Sequence, residues 1–252
     1  MDGMKRVLSF VRRAVDDYGM IGEGDRVAVG VSAGKDSLTL LCALAELRRF
    51  YPNKFELVAI TVDMGFEGAD FSNIKNMCDD LGVEYHIVPT QISKIIFDVR
   101  KEKNPCSLCA KMRRGALYNY AREIGCKSVA LGHHFDDVVE TFMLNLFYEG
   151  RIGCFQPVTY LTNTGITLIR PMIYMPEKDV RYFASKNQLP VVKSPCPADG
   201  NTEREEMKKL LHELEKQNKG LRYRIFGAIQ RGEVDGFKIM GRMQGIKEYI
   251  ED

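Results

Sequence analysis

A chain of 252 residues, 45% of them apolar, can build one large α/β domain with a short appendage at each end and is too apolar for wholesale disorder. No apolar run reaches the roughly 18 residues of a membrane span, and the opening MDGMKRVLSFVRRAVDDYGM lacks the apolar core and cleavage site of a secretory signal. A cytoplasmic protein with no membrane partner is therefore expected. The net charge of +2 is unevenly spread: the stretch 100–127 holds eight basic and two acidic residues, leaving −4 for the rest, and such a basic field suits RNA unless it is simply a solvated helix face.

In chain order, residues 1–24 form an appendage whose pattern is that of an amphipathic helix. Residues 26–31, 55–62, 84–88 and 128–131 are short runs rich in Val, Ile and Leu. Between them, 36–50, 69–81 and 109–124 carry apolar residues at spacings of three and four. This alternation predicts an α/β domain over 25–200, a parallel sheet covered by helices on both faces. Past Gly150 the pattern loosens into a short strand at 167–170, a helix opened by proline at 176–187 and an extended piece at 190–192. The charged stretch 201–218, with Leu210, Leu211 and Leu214 as its apolar stripe, begins a C-terminal helical extension over 201–252 in the same compact unit. Ligands of parallel sheets sit beyond the carboxyl ends of the strands, so the loops leading into helices are the places to search.

The first such loop is Ser32-Ala33-Gly34-Lys35-Asp36-Ser37. Small residues allow a tight backbone, the helix start offers unpaired N–H groups and a positive dipole end, and two hydroxyls and Lys35 complete a phosphate cradle. The Walker pattern does not fit, because Asp36 follows Lys35 and the glycine spacing is one residue short. The alternative is an ordinary helix start capped by Asp36 or Ser37. The loop resembles the SGGxDS pyrophosphate loop of the N-type ATP pyrophosphatases (the PP-loop, or adenine nucleotide α-hydrolase-like, fold), with Ala33 replacing the first glycine. That resemblance implies cleavage of ATP between its α and β phosphates. It also implies that Asp63, at the end of the second strand, lies where the adenine meets the protein, the alternative being a turn-forming Asp. Whether residue 33 needs a positive φ, which Ala resists, is the open question at this loop.

The fourth strand runs into Gly132-His133-His134-Phe135-Asp136-Asp137, with Glu140 and Thr141 further on. Two histidines and two carboxylates at a strand end suit proton transfer or metal binding, and a carboxylate beside a phosphate loop can hold Mg²⁺ on ATP. Asp137 with Glu140 also has the spacing of a capping box, which would need no chemistry. GHHxDDxxET resembles the second signature of the tRNA-modifying pyrophosphatases, which implies a catalytic or magnesium role for Asp136 or Asp137, with His133 and His134 beside them.

Seven cysteines in a reducing compartment argue for metal binding or catalysis at some and plain burial at the rest. Cys106 and Cys109 form a C-x-x-C, which alone is ambiguous among zinc, redox thiols and iron–sulfur ligation. Cys196, flanked by Pro195 and Pro197, is the third candidate; Cys42, Cys78, Cys126 and Cys154 fit a buried core, with Cys126 and Cys154 as reserve ligands. The run from PCSLCAKMRRGALYNYAREIGCKSVALGHHFDD onward, with IRPMIYMPEKDVRYFA and SPCPADG, resembles the tRNA 2-thiocytidine synthetase family over most of the chain. The resemblance implies a [4Fe–4S] cluster on Cys106, Cys109 and Cys196 with one iron open, and ATP-Mg²⁺ adenylating a pyrimidine of tRNA before sulfur replaces the oxygen. It implies a sulfur donor (a cysteine desulfurase or inorganic sulfide), a homodimer, and Arg113 near the tRNA phosphates or the AMP. Members often carry a second C-x-x-C at the later site, where this chain has Ala198 and Asp199. The rival is another enzyme of the same chemistry, a 2-thiouridine synthetase or lysidine-type ligase with zinc on its cysteines.

Overall fold

The computed structural model describes residues 1–100, 105–192, 196 and 203–239; Lys101, Lys103, the residues around Cys196 and the stretch 240–252 lie outside it. Six strands form one sheet in the order β3-β2-β1-β4-β6-β5. They are β1 (Asp25–Gly30), β2 (Phe55–Asp63), β3 (Glu84–Pro89), β4 (Ser128–Ala130), β5 (Val158–Leu161) and β6 (Ile166–Ile169). The sheet is not wholly parallel as predicted: β5 pairs antiparallel with β6 as an edge hairpin. β5 gives little sequence signal because it is four residues long and turns Tyr160 outward, 64% exposed. The extended piece at 190–192 joins no strand ladder, yet Val192 N–H donates to the Ala33 carbonyl at 3.0 Å.

Helices cover both faces. Val27 and Val29 of β1 point into the larger core, Ala28 into the smaller, as the two-residue period of a strand requires. The larger core is closed by α1 (Met4–Tyr18), α2 (Lys35–Leu47), α3 (Ser72–Asp80), α6 (Phe135–Tyr148), α7 (Glu177–Lys186), α8 (Glu203–Gln217) and α9 (Leu221–Arg231). Ten of the thirteen residues of α2 are buried, which explains its almost unbroken apolar sequence; each such Leu is worth about 1.5–3 kcal/mol in burial. The smaller core lies under α5 (Pro105–Glu123), reached from β3 through the short α4 (Ile92–Lys94) and a π-helical turn at Ile95–Val99.

Two features place the site. Chain order runs outward from β1 to β2 and β3 on one side and from β4 to β6 on the other, so β1 and β4 flank the switch point where a crevice opens at the carboxyl ends. Secondly, α5 overshoots the sheet. Leu117 lies over Gly30, the last residue of β1, so closely that a Cβ there would stand 2.9 Å from it. At 1.5 Å per residue Cys109 therefore lies about 12 Å from Leu117 toward the N-terminal end of α5.

Candidate active site

The loop after β1 is held by its own hydroxyls. Ser37 Oγ accepts from Ser32 N–H (3.1 Å) and donates to the Gly34 carbonyl (3.0 Å). Neither Asp36 nor Ser37 caps α2; the N-cap is Gly34, with no side-chain bond, so the first N–H groups of the helix remain available. Ala33 has φ 62°, the left-handed region that favours glycine, a conformation costing an L-residue roughly 1–2 kcal/mol. The open question at residue 33 is thus answered: it does need a positive φ. Gly132, leading out of β4, closes on this loop: a Cβ there would stand 3.0 Å from the Asp36 carbonyl carbon and 3.1 Å from Ser37 N.

His134 is the N-cap of α6, and its capping box is with Asp137, three residues earlier than the Asp137–Glu140 spacing suggests. Asp137 N–H donates to His134 Nδ1 (3.4 Å), and His134 N–H donates to Asp137 Oδ2 (2.9 Å). With Nδ1 accepting, a neutral ring carries its proton on Nε2, which stands 3.7 Å from Asp36 Oδ1. His134 thus bridges the two signature loops. Asp136 has both oxygens occupied: it accepts from Glu177 N–H (2.7 Å) and from Arg222 Nη1 (2.6 Å). Asp137 Oδ1 accepts from Arg204 Nη1 (3.1 Å). Asp63 makes a two-residue turn, accepting from Gly65 N–H at 2.9 Å, and stays partly exposed.

Residues absent from the sequence reading complete the site. Glu177 gathers Lys35 (3.2 Å), Arg181 (2.9 Å) and Lys208 (2.9 Å). Burial opposes its charge, but hydrogen bonds from Lys208 and Arg181 and the charge of Lys35 prevail and hold its carboxyl down at about 2. Burial likewise opposes the charge of Lys35, and its bonds to Asp36 and Glu177 outweigh that and raise its pKa. The C-terminal helices, expected only as an appendage, therefore lock the signature loops through Arg204, Lys208 and Arg222.

Glu140 is nearly enclosed, its side chain 4% exposed, with Oε1 lacking a hydrogen bond and Arg222 and Arg204 at 3.7 and 3.8 Å. Burial, with Asp137 beside it, pushes its carboxyl up to about 7 from 4.5. A raised folded pKa contributes stability fully present below 4.5 and lost as pH rises through about 7. Glu140→Gln should therefore match the wild type near pH 5 and exceed it near pH 8, by on the order of 3 kcal/mol. Thermal melts at both pH values check this; a difference independent of pH would refute it.

The cysteines divide as expected from burial. Cys42 and Cys78 are fully enclosed, their thiols pushed to about 12 by burial. Cys126 is buried and Cys154 half-buried, with Cys154 Sγ 3.4 Å from the Val138 carbonyl. Cys106 is exposed and Cys109 and Cys196 half-exposed. The thiol of Cys109 is raised by burial, lowered by Arg113, and raised again by Cys196 and Cys106, so the three cysteines and Arg113 share one neighbourhood. Among the described residues no three metal-ligating side chains stand at bonding distance of one point. A shared neighbourhood of three soft, accessible thiols nevertheless fits an iron–sulfur cluster, and Val192, four residues before Cys196, is hydrogen-bonded to Ala33 of the phosphate loop.

Loop, switch point and helix order define the class: this is a PP-loop protein, and a model of the PP-loop domain matches residues 8–215. The tRNA-cytidine(32) 2-sulfurtransferase of Geobacter sulfurreducens is 42% identical over 228 residues, 89% of each chain. That of Citrifermentans bemidjiense is 42% identical over 216 residues, 84% of this chain and 85% of its own. The U34-tRNA thiolase of Methanococcus maripaludis, solved with its [4Fe–4S] cluster, superposes with a TM-score of 0.76 at 28% identity, covering 98% of this chain and 87% of that one. The chain belongs to the PP-loop family and, within it, to the tRNA-cytidine(32) 2-sulfurtransferases, in agreement with the resemblance drawn from its motifs.

Proposed function

We propose that this enzyme activates a tRNA cytidine with ATP and replaces its 2-oxygen by sulfur. The observation that carries the reading is the Val192–Ala33 hydrogen bond, which sets a residue four before one accessible cysteine against the phosphate loop, while that cysteine acts electrostatically on Cys109 of α5. Ser32, Ala33, Gly34, Lys35, Asp36 and Ser37 take the ATP phosphates on the open start of α2, and Asp63 borders the adenine. Both carboxylates of the pair accept two hydrogen bonds, and Asp137, its side chain 20% exposed against 13% for Asp136, is the more open to Mg²⁺. His134 orients Asp36 and Asp137, and His133 flanks them.

Attack of the cytidine O2 on the α-phosphate would release pyrophosphate and leave AMP on the oxygen, turning a poor leaving group into a good one. Arg113, close to Cys109, is placed to offset charge on AMP as it departs. Cys106, Cys109 and Cys196 would hold a [4Fe–4S] cluster, which would supply the sulfur chemistry. The tRNA backbone would run over the exposed Lys111, Arg113 and Arg114. The sulfur comes from a cysteine desulfurase or from inorganic sulfide.

Incubation with ATP and unmodified tRNA tests the reading: AMP and pyrophosphate should form in step with 2-thiocytidine in digested tRNA. ADP and orthophosphate as products, or thiolated uridine in place of cytidine, would refute it.

A further inference from the structure

Arg170 follows the last residue of β6 and is 7% exposed, yet among the described residues no carboxylate pairs with it. Its described side-chain hydrogen bonds all leave from Nη1, to the Gln156 carbonyl and to Thr159 Oγ1 at 3.2 Å. Nε is enclosed and has no partner. The edge left without a partner among the described residues is thus the Nε–Nη2 side, the one that grips a phosphate with two parallel hydrogen bonds. Burial lowers the pKa of this guanidinium to about 10, so it stays charged at neutral pH. A buried, charged group with an unused donor is expensive unless something pairs with it.

The surroundings suit an anion. The guanidinium lies 5.0 Å from the centre of the Phe155 ring, and the ring of His133 lies 4.8 Å from the same centre. His133 Nδ1 is also enclosed and without a partner. Arg114 and Tyr118 of α5 are near enough to act on Arg170 electrostatically. Leu131 N–H donates to the Ile169 carbonyl, so Gly132 and Arg170 leave the sheet side by side, and Gly132 abuts Asp36 of the phosphate loop.

We infer that the Nε–Nη2 edge of Arg170 is a receptor for one phosphate group brought to the crevice by the substrates. Two sources supply that chemistry: the nucleotide, or the tRNA backbone next to the base that reacts. The inference rests on the reading that both meet at this end of the sheet. Binding of ATP, AMP and unmodified tRNA by the full chain tests it in Arg170→Gln, Arg170→Lys and Thr159→Val. Both arginine variants should lose about tenfold or more in affinity for one ligand, Lys because it keeps the charge but not the fork. If the nucleotide supplies the phosphate, ATP and AMP weaken and tRNA does not. If the tRNA supplies it, tRNA weakens and the slope of log K against log salt falls by about 0.7–0.9. Thr159→Val, which removes a bond on the occupied side only, should keep both affinities.

Wild-type binding of both ligands by Arg170→Lys, which retains the buried charge should Arg170→Gln not fold, would overturn the inference. So would losses in Thr159→Val equal to those in the arginine variants, since Arg170 would then be a strut for the loop before β5. A wild-type chain that binds neither ATP nor tRNA would instead undo the functional reading on which the inference rests.

Discussion

Cys109→Ser is expected to leave the fold and ATP binding intact and to lower thiolation by more than about 100-fold, since even outer-shell partners of a metal centre are worth 10–100-fold. The residue is half-exposed, so the hydroxyl costs little in packing. Its thiol is held up by burial and by the two other cysteines, against the pull of Arg113. The Cys109 thiol therefore resists ionising until a cation is bound, which couples cluster loading to proton release. Serine at Cys106 or Cys196 should act in the same way, and Cys78→Ala should keep cluster and activity at some cost in stability, because Cys78 is fully buried. Iron and sulfide content after anaerobic reconstitution is the direct measurement. A full complement in Cys109→Ser or Cys196→Ser would mean the ligand set is wrong, and Cys126 and Cys154 would be tested next.

Gly132→Ala should lower ATP turnover by about 10–100-fold, by the sensitivity of catalysis to misplacement of order 1 Å. The added Cβ would meet backbone at 3.0–3.2 Å, namely the carbonyl carbon and oxygen of Asp36 and the nitrogen of Ser37. Backbone cannot swing aside as a side-chain tip can, so the phosphate loop or the start of α6 must shift. Overpacking of this kind costs about 1–3 kcal/mol. Gly115, in α5 with nothing within 4 Å of its added Cβ, is the control: Ala there should be neutral or mildly stabilising. Steady-state AMP formation and thermal melts distinguish the two effects. Wild-type turnover in Gly132→Ala would show that the two signature loops need not be in close register.

Much of the fold was legible because it is local. The strands β1 to β4 are bounded by turn residues and filled with β-branched side chains, and their alternation with helices admits few topologies. Ser32–Ser37 and the Gly132–Asp137 run were legible for the same reason: a loop between a strand and a helix start binds phosphate through its own backbone. The short edge strand β5 was not, since a half-exposed four-residue hairpin arm gives too little periodicity.

The sequence by itself offered the Ser32–Ser37 loop, the second signature and the Cys106–Cys109 pair, because each depends on residues adjacent in the chain or on a spacing within one helix, whereas Cys196 lies far down the chain and stood only as a candidate. Only the tertiary structure decided what each carboxylate holds. Asp136 takes Glu177 N–H and Arg222 from 41 and 86 residues away, and Asp137 takes Arg204 from 67 residues away beside the His134 N–H. The charged helix α8 gave no sign that Arg204 and Lys208 would reach the site, because a charge's partner is set by packing between elements rather than by spacing within one. The unpartnered edge of Arg170 belongs to the same category. A lone arginine after a strand is unremarkable in sequence, and burial without a counter-charge is what makes it a binding group.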